Sequence, residues 1–415
     1  MSKEIIIIGG GIIGLSTAYY LQKEGYKVIV IDQTNISEGA SFVNAGYISP
    51  SHIIPLAAPG MITTGLKMMF NSASPFYVKP RFDSDFLKWS LAFKKSSTES
   101  KVAKAIPVIK EINLLSKELY TDIYNNDEFD FQFERKGLLM YYQTEKAGEK
   151  EMKTAKRAAE IGLETELLSL EEIKKIEPNV NLNVKGAIYY KCDAHMTPGE
   201  FMNQMTAYLK GKNVIFYTNE RVVDMTVQAD KVATVLTDKR EISADEVVIA
   251  AGSWSPLLAK KIGITLLVQA GKGYCINVKR PTGITIPSLL MEAKVGVTPM
   301  NGFTRFAGTM ELAGINHKIN PVRVKAIANA AENYFNGLKI EPSEINDAAC
   351  GLRPVSPDGL PYIGRVAAFS NLSIATGHAM MGWSLGPATG KLIAEILTGR
   401  KTSMDTIPFN PKRKF

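Results

Sequence analysis

Cysteine and histidine are scarce in this chain, at three and four residues out of 415. The cysteines, Cys192, Cys275 and Cys350, are odd in number and form no C-x-x-C pair. That argues against a disulfide framework and fits a reducing compartment. Four histidines without an H-x-x-H spacing offer little to a metal, and none is expected. No run of 18 or more apolar residues occurs, so no segment reads as membrane-spanning. Neither sign of charge dominates: 49 Lys and Arg stand against 41 Asp and Glu, a net charge of +8. The basic residues are dispersed, apart from Lys94–Lys95 and Lys412-Arg413-Lys414. No basic stripe interleaved with aromatics appears, so nucleic acid is not an expected partner. The dispersed charge reads as solvated surface, with an anionic substrate or a peripheral anionic membrane as the alternative. The N-terminal apolar run reads as a first strand rather than a signal peptide, and the expected compartment is the cytoplasm.

The length allows two domains and a large core. The organising stretch is Lys3 to Asp32, KEIIIIGGGIIGLSTAYYLQKEGYKVIVID. Ile5 to Ile8 form a short continuous apolar run, as expected for a central parallel strand buried on both faces. Gly9, Gly11 and Gly14 follow in a G-x-G-x-x-G spacing. The helix is expected from about Gly11 to Glu24, with Ile12 and Ile13 in its first turn, and a second strand from Lys27 to Ile31. Gly9 permits the tight turn, Gly11 lets a pyrophosphate approach the backbone, and Gly14 lets helix and strand pack closely. The helix N-terminus offers free N–H groups and a favourable dipole to phosphates. Asp32 ends the second strand, where an acid can accept ribose hydroxyls, and Gln33 follows it.

A loop of small residues comes next, Ser37 to Gly46, with Ala40, Ser41, Asn44, Ala45 and Gly46. It is either an ordinary loop or one whose N–H groups crowd a cofactor. Tyr47 to Val78 is apolar but broken by four prolines, and carries Met61, Met68, Met69 and Phe70. It reads as cavity lining or a flap, with membrane or quinone contact as the alternative. Helix is expected over Phe82–Tyr124, Lys150–Ile161, Leu170–Ile176 and Pro198–Gly211, the last capped by Thr197. Strands are expected at Gly137–Thr144, Gly186–Tyr190 and Val214–Tyr217, then a meander near Val222, then the core strand Glu246–Ala250. That strand ends in Ala251-Gly252-Ser253-Trp254, again bare backbone beside a ligand. Strands and one helix, Pro321–Phe335, fill Leu267 to Pro342. Two tracts close the chain: CGLRPVSPDGLPYIG from Cys350 and LSIATGHAMMGWSLGPATG from Leu372. The second reads as strand, glycine loop and helix, with the helix N-terminus near Trp383.

Together GGGIIGLSTAYYLQKEGYKVIVID, VVIAAGSWS, GLRPVSPDGLPYIG and ATGHAMMGW resemble the D-amino-acid oxidase superfamily of FAD proteins. Within it, NAGYISPSHIIPLAAPGMITTGLKMMF, KGLLMYY and GLRPVSPDG resemble the bacterial D-amino-acid dehydrogenase (small subunit) family. The similarity runs nearly end to end. It implies an α/β plus α+β fold: a Rossmann-like FAD-binding domain from discontinuous segments (1–85, 187–260 and 345–415). An antiparallel-sheet substrate domain (86–186 and 261–344) is inserted between them. It implies oxidative deamination of a D-amino acid by hydride transfer to flavin N5, giving a 2-oxo acid and ammonia, with electrons passed to a quinone or respiratory acceptor.

The resemblance also assigns roles. Arg353 matches a clamp on the substrate carboxylate, Tyr274 a wall of the substrate pocket. His378 sits in the loop expected beside the flavin, and His52 and Arg305 are lesser candidates. The cofactor shell gains Val222, Ala251, Gly252, Trp254, Gly351, Gly377, His378, Met381, Gly382 and Trp383. Sarcosine-oxidase relatives carry a flavin-linked cysteine where this chain has Gly351, so FAD is expected to be non-covalent. Rival readings share the fold: D-proline or cis-4-hydroxy-D-proline dehydrogenase, and glycine or sarcosine oxidase. From another class comes a flavin-binding redox sensor, against which the retained Arg353 argues. A quinone acceptor would imply peripheral contact with the inner face of the membrane, through the 53–70 loop or the basic C-terminal end. Oligomeric state is left open, a homo-oligomer included.

Overall fold

The computed structural model describes residues 3–61, 63, 74–81, 83–126, 128–243 and 245–415. Met68, Met69 and Phe70 of the apolar stretch lie outside the described residues.

Five parallel strands form the first sheet, in the spatial order Ile215–Tyr217, Lys27–Ile31, Glu4–Ile8, Glu246–Ile249 and Leu372–Thr376. Tyr362–Arg365 adds an antiparallel edge. The isoleucine run is central because both faces are covered. Ile5 and Ile7 pack with the helices Ile12–Lys23, Glu99–Tyr124 and Gly386–Thr398. Ile6 and Ile8 point the other way, onto Val222, Val235 and Leu258. An alternating pattern would put polar groups into one of these layers. Helices Ile12–Lys23 and Gly386–Thr398 cross closely: a Cβ on Gly390 would stand 2.5 Å from the Ser16 carbonyl oxygen.

The second, larger sheet is mixed. Next to one edge Gln269–Val278 pairs antiparallel with Phe303–Leu312 on one side and with the edge strand Ala349–Val355 on the other. Beyond Phe303–Leu312 lie Val295–Met300, Ser288–Leu290, Leu138–Tyr142, Gly186–Tyr190 and Thr165–Ser169. The helix Pro321–Tyr334 covers one face through Val324, Ile327 and Ala331. Segments assigned to different domains interleave here. Phe76–Val78, Gly186–Tyr190 and Ala349–Val355 all pair within the large sheet. Ile109, Ile112 and Tyr120 of the helix Glu99–Tyr124 share a core with the parallel sheet.

Several element boundaries differ from the sequence reading. The stretch read as one helix over 82–124 is two, Ser84–Ser96 and Glu99–Tyr124. Each has its own N-cap: Asp83 accepts from the Phe86 N–H and Thr98 from the Lys101 N–H. Caps of this kind allow a new helix to start inside an apolar pattern that looks continuous. The helix expected from Lys150 starts at Glu145, capped by Thr144. The strands Thr165–Ser169 and Ala194–Met196 and the helix Ser255–Lys261 carry too little periodicity to read beforehand. The C-terminal helix begins at Gly386, not near Trp383, because Pro387 suits the first turn of a helix.

Candidate active site

A cavity of about 1730 Å³ runs between the two sheets. Single small-molecule sites occupy roughly 300–1,000 Å³, so this one has room for a dinucleotide and a substrate.

One end is built by the first strand–helix turn. Gly9 sits at φ +112°, and a Cβ there would lie 2.5 Å from the Ala250 carbonyl oxygen. A Cβ on Gly14 would overlap the Gly9 carbonyl oxygen. The helix N-cap is Gly11, with no side-chain cap, which leaves first-turn N–H groups open to a phosphate. Ile12 N–H donates instead to Ser41 Oγ at 3.0 Å, tying the small-residue loop to the turn. Asp32 lines the cavity and already serves its own loop. Its Oδ1 accepts from Thr34 N–H and Thr34 Oγ1, both at 2.8 Å, and its Oδ2 from Gly10 N–H at 2.7 Å. Oδ2 keeps a lone pair for a hydroxyl. These residues fit the adenosine and pyrophosphate of FAD: glycine backbone where a Cβ would close the cradle, open N–H groups at a helix start, and an acceptor at the strand end.

Of the proposed cofactor residues, Gly9, Gly11, Ile12, Ile13, Asp32, Gln33, Ala40, Ser41, Asn44 and Ala45 line the cavity. So do Val222, Ala251, Gly252, Trp254, Gly351, His378, Met381, Gly382 and Trp383. Gly14, Gly46 and Gly377 stand behind the wall. A Cβ on Gly377 would meet the Tyr362 ring at 2.8 Å, and one on Gly46 would meet the Met196 carbonyl oxygen. The loop is held from behind by Arg305, whose Nη1 donates to the carbonyls of Phe42 at 2.8 Å and Asn44 at 2.6 Å. Thr298 Oγ1 donates to the Ala45 carbonyl at 2.6 Å. Arg305 is therefore buried beneath the loop and not exposed on the strand surface.

The floor is the large sheet. Gly296, Ala307 and Ala349 line it with almost no side chain, as do Gly273 and Gly351. Arg353 rises from this floor on the strand Ala349–Val355. A Cβ on Gly273 would lie 2.5 Å from Arg353 Cζ, so the missing side chain is the guanidinium's space. Arg353 Nη1 donates to the Thr309 carbonyl at 2.7 Å. Thr309 is β-branched yet sits at φ +71°, which turns that carbonyl toward the guanidinium. Burial pushes the Arg353 pKa down to about 10, which leaves it charged at neutral pH. No carboxylate pairs with it among the described residues, and its remaining donors open to the cavity.

Tyr274 lines the cavity, but its hydroxyl donates to Glu311 Oε2 at 2.8 Å. Burial, then Glu311, raises its pKa. Glu311 in turn faces Lys272 at 3.4 Å and Arg323 at 3.1 Å. Buried Lys272 donates to Asn316 Oδ1 at 2.6 Å and the Lys318 carbonyl at 2.8 Å, which pins the loop 313–320 at the rim. There His317 stacks on Trp254 with ring centroids 5.9 Å apart. His378 Nε2 shares a hydrogen bond with Thr389 Oγ1 at 3.0 Å, while Nδ1 has no protein partner. Burial lowers its pKa to about 3, so the ring is neutral. His52 is lowered too, by burial and then by the charge of Lys294.

The sequence reading missed Gly273, Thr309, Glu311 and Lys294. Gly273 carries a faint signal, as a glycine inside a strand pattern often marks a close approach. Thr309 and Lys294 reach the cavity only through strand pairing, and Glu311 bears on it only through Tyr274.

A family model described as FAD dependent oxidoreductase, DAO, matches residues 4–396. A D-amino acid dehydrogenase of Helicobacter pylori is 34% identical over 400 residues, 95% of each chain. One from Vibrio vulnificus strain CMCP6 is 32% identical over 413 residues, 96% of this chain and 97% of that one. The fold matches glycine oxidase from Geobacillus kaustophilus with TM-score 0.77 at 20% identity, over 100% of both chains. L-proline dehydrogenase from P. horikoshii matches with TM-score 0.75 at 19% identity, over 99% of this chain and 97% of that one.

Proposed function

The chain belongs to the DAO family of FAD-dependent oxidoreductases, and from that premise we propose that it oxidatively deaminates a D-amino acid. The Cα–H leaves with its electron pair, and water hydrolyses the resulting imine to a 2-oxo acid and ammonia. The observation that carries the reading is Arg353. It is a half-buried cation with one protein acceptor, the Thr309 carbonyl, and donors directed at the cavity.

Bound FAD supplies the hydride acceptor, at N5 of its ring system. The chain supplies binding and orientation. The planar fork of Arg353 holds both oxygens of the substrate carboxylate through parallel charge-assisted hydrogen bonds. Thr309 fixes one edge of that fork, and Gly273 keeps its space clear. With the carboxylate held, the side-chain walls set the direction of the Cα–H bond. Tyr274 shapes one wall and exchanges no proton, since Glu311 occupies its hydroxyl. His378 and His52 stay neutral, so neither adds a charge beside the amine.

FAD is held without a covalent link in this reading. Position 351 has no thiol, and Cys350 Sγ turns to the His317 carbonyl at 3.5 Å. Burial raises the Cys350 pKa, which keeps it a thiol. The electrons leave to a quinone-type acceptor, reached by peripheral contact at the inner face of the cytoplasmic membrane. No helix among the described residues is long and apolar enough to cross a membrane.

The test is anaerobic flavin absorbance of the FAD-loaded protein, mixed in turn with D- and L-amino acids, D-proline, cis-4-hydroxy-D-proline, glycine and sarcosine. Bleaching by D-amino acids is expected. Bleaching only by the cyclic imino acids, or by glycine and sarcosine, overturns the substrate class. Arg353→Met is expected to weaken substrate capture by about 1.5–3 kcal/mol for each charged hydrogen bond lost, with FAD retained. Unchanged steady-state kinetics in that variant refute the clamp.

A further inference from the structure

One cavity-lining cation plays no part in the reaction above. Lys294 ends the turn Met291–Lys294 between the strands Ser288–Leu290 and Val295–Met300, its N–H donating to the Leu290 carbonyl at 2.8 Å. Its backbone lies at φ +54°, the left-handed region where glycine or asparagine is at ease. Strained positions of this kind gather at ligand sites.

Strand register relates Lys294 to Arg353. Val295 lies opposite Gly308, and Gly308 opposite Tyr274. Lys294 therefore falls beside Thr309, on the far side from Gly273. The Arg353 guanidinium lies over Gly273 and bonds to Thr309. At about 4.8 Å per strand, the Lys294 backbone is on the order of 10 Å from that guanidinium. A lysine side chain covers much of the gap. Both residues line one continuous cavity.

The surrounding charges leave Lys294 without a counter-ion. Lys150, from the helix Glu145–Glu160, lines the same arm, and neither lysine forms an ion pair among the described residues. The two nearby carboxylates are committed elsewhere. Glu151 accepts from Tyr190 Oη at 2.7 Å. Glu292 accepts from Gln143 N–H at 3.1 Å, and from Thr144 N–H at 2.9 Å and Thr144 Oγ1 at 2.8 Å. Lys294 is an exposed residue on the cavity wall, and partial desolvation there, then the charge of Lys150, lowers its pKa.

We propose that Lys294 is a specificity-determining residue that binds a second anionic group on the substrate, so that acidic D-amino acids are favoured over neutral ones. This rests on the deamination reading: Arg353 takes the α-carboxylate, and Lys294 meets a side-chain carboxylate across Thr309.

The experiment compares kcat/KM for D-glutamate with that for D-glutamine and D-norvaline, which have similar length and no side-chain charge. The wild-type ratio is expected to favour D-glutamate by about ten-fold or more, the scale of one charged hydrogen bond. Lys294→Met is expected to abolish that preference, and Lys294→Glu to move it toward D-ornithine. A second readout needs no turnover. The FAD-loaded protein, followed by flavin absorbance, is expected to bind glutarate more tightly than pentanoate, and Lys294→Met to equalise the two. Wild type that treats D-glutamate and D-glutamine alike, or glutarate and pentanoate alike, overturns the proposal. So does a Lys294→Met variant with an undiminished preference. If no amino acid is oxidised but glutarate is still preferred through Lys294, the deamination reading fails and the anionic subsite stands.

Discussion

Replacing Gly273 with alanine tests the site through a residue that offers no functional group. Gly273 sits within the strand Gln269–Val278, and its φ lies outside the left-handed region, so alanine is conformationally acceptable there. The effect is therefore steric. The new Cβ would stand 2.5 Å from Arg353 Cζ, against an ordinary carbon–carbon contact of roughly 3.5–4.0 Å. The neighbouring backbone is fixed by pairing with Phe303–Leu312 and Ala349–Val355, so the guanidinium must yield. Moving it breaks the 2.7 Å bond to Thr309 and tilts the fork out of the plane that a carboxylate needs. Losing one charged hydrogen bond to the substrate costs about 1.5–3 kcal/mol. That corresponds to a rise in Kd of roughly ten-fold to a hundred-fold. The assay is titration of the FAD-loaded variant with propionate, a carboxylate without an amine, followed by flavin absorbance. FAD content and Tm serve as controls for folding. Affinity equal to wild type, with the variant folded and loaded, refutes the placement of the guanidinium over Gly273 and with it the clamp geometry.

Two further substitutions probe the supports of the site. Arg305→Met removes the donors to the Phe42 and Asn44 carbonyls, and FAD retention during gel filtration is expected to fall by about ten-fold; full retention would show that the loop holds itself. Asp193, beneath the cavity loop, accepts from Ser51 N–H at 3.0 Å and Ser51 Oγ at 2.6 Å. Burial raises its pKa from 3.8 to about 6. The folded state thus holds this proton more tightly than the unfolded chain does. Its contribution to stability is fully present below pH 3.8 and is lost as the pH rises through about 6. Asp193→Asn is expected to remove that dependence, so that wild type loses about 2 kcal/mol relative to the variant between pH 4 and pH 7 in urea unfolding. Parallel stability profiles would refute the assignment.

The nucleotide half was legible in the sequence because its instructions are local. Ile5 to Ile8, Gly9, Gly11, Gly14 and Asp32 fall within one strand–turn–helix–strand unit, and chain geometry over so short a span leaves few alternatives. The resemblance extended this to the FAD dependent oxidoreductase family, in agreement with the family match over residues 4–396. Element ends were less legible. The break at Ser97–Thr98 and the start at Glu145 depend on capping bonds that a periodic pattern does not weigh.

What the sequence by itself determined is the parallel sheet with its dinucleotide turn, and the identity of Arg353 as a candidate. The first follows from residues adjacent in the chain, the second from the resemblance of the GLRP tract to the D-amino-acid oxidase superfamily. What only the tertiary structure decided is how that arginine is seated and what faces it. Gly273 and Thr309 lie on two strands and Lys294 in the turn that opens a third, and register alone brings them to one side of one sheet. Tyr274 becomes a wall because Glu311, on the neighbouring strand, accepts its hydroxyl, and Arg305 becomes a buried brace because the loop 42–45 folds over it. Side-chain roles in a sheet are set by neighbours across the ladder, and those neighbours are distant in sequence.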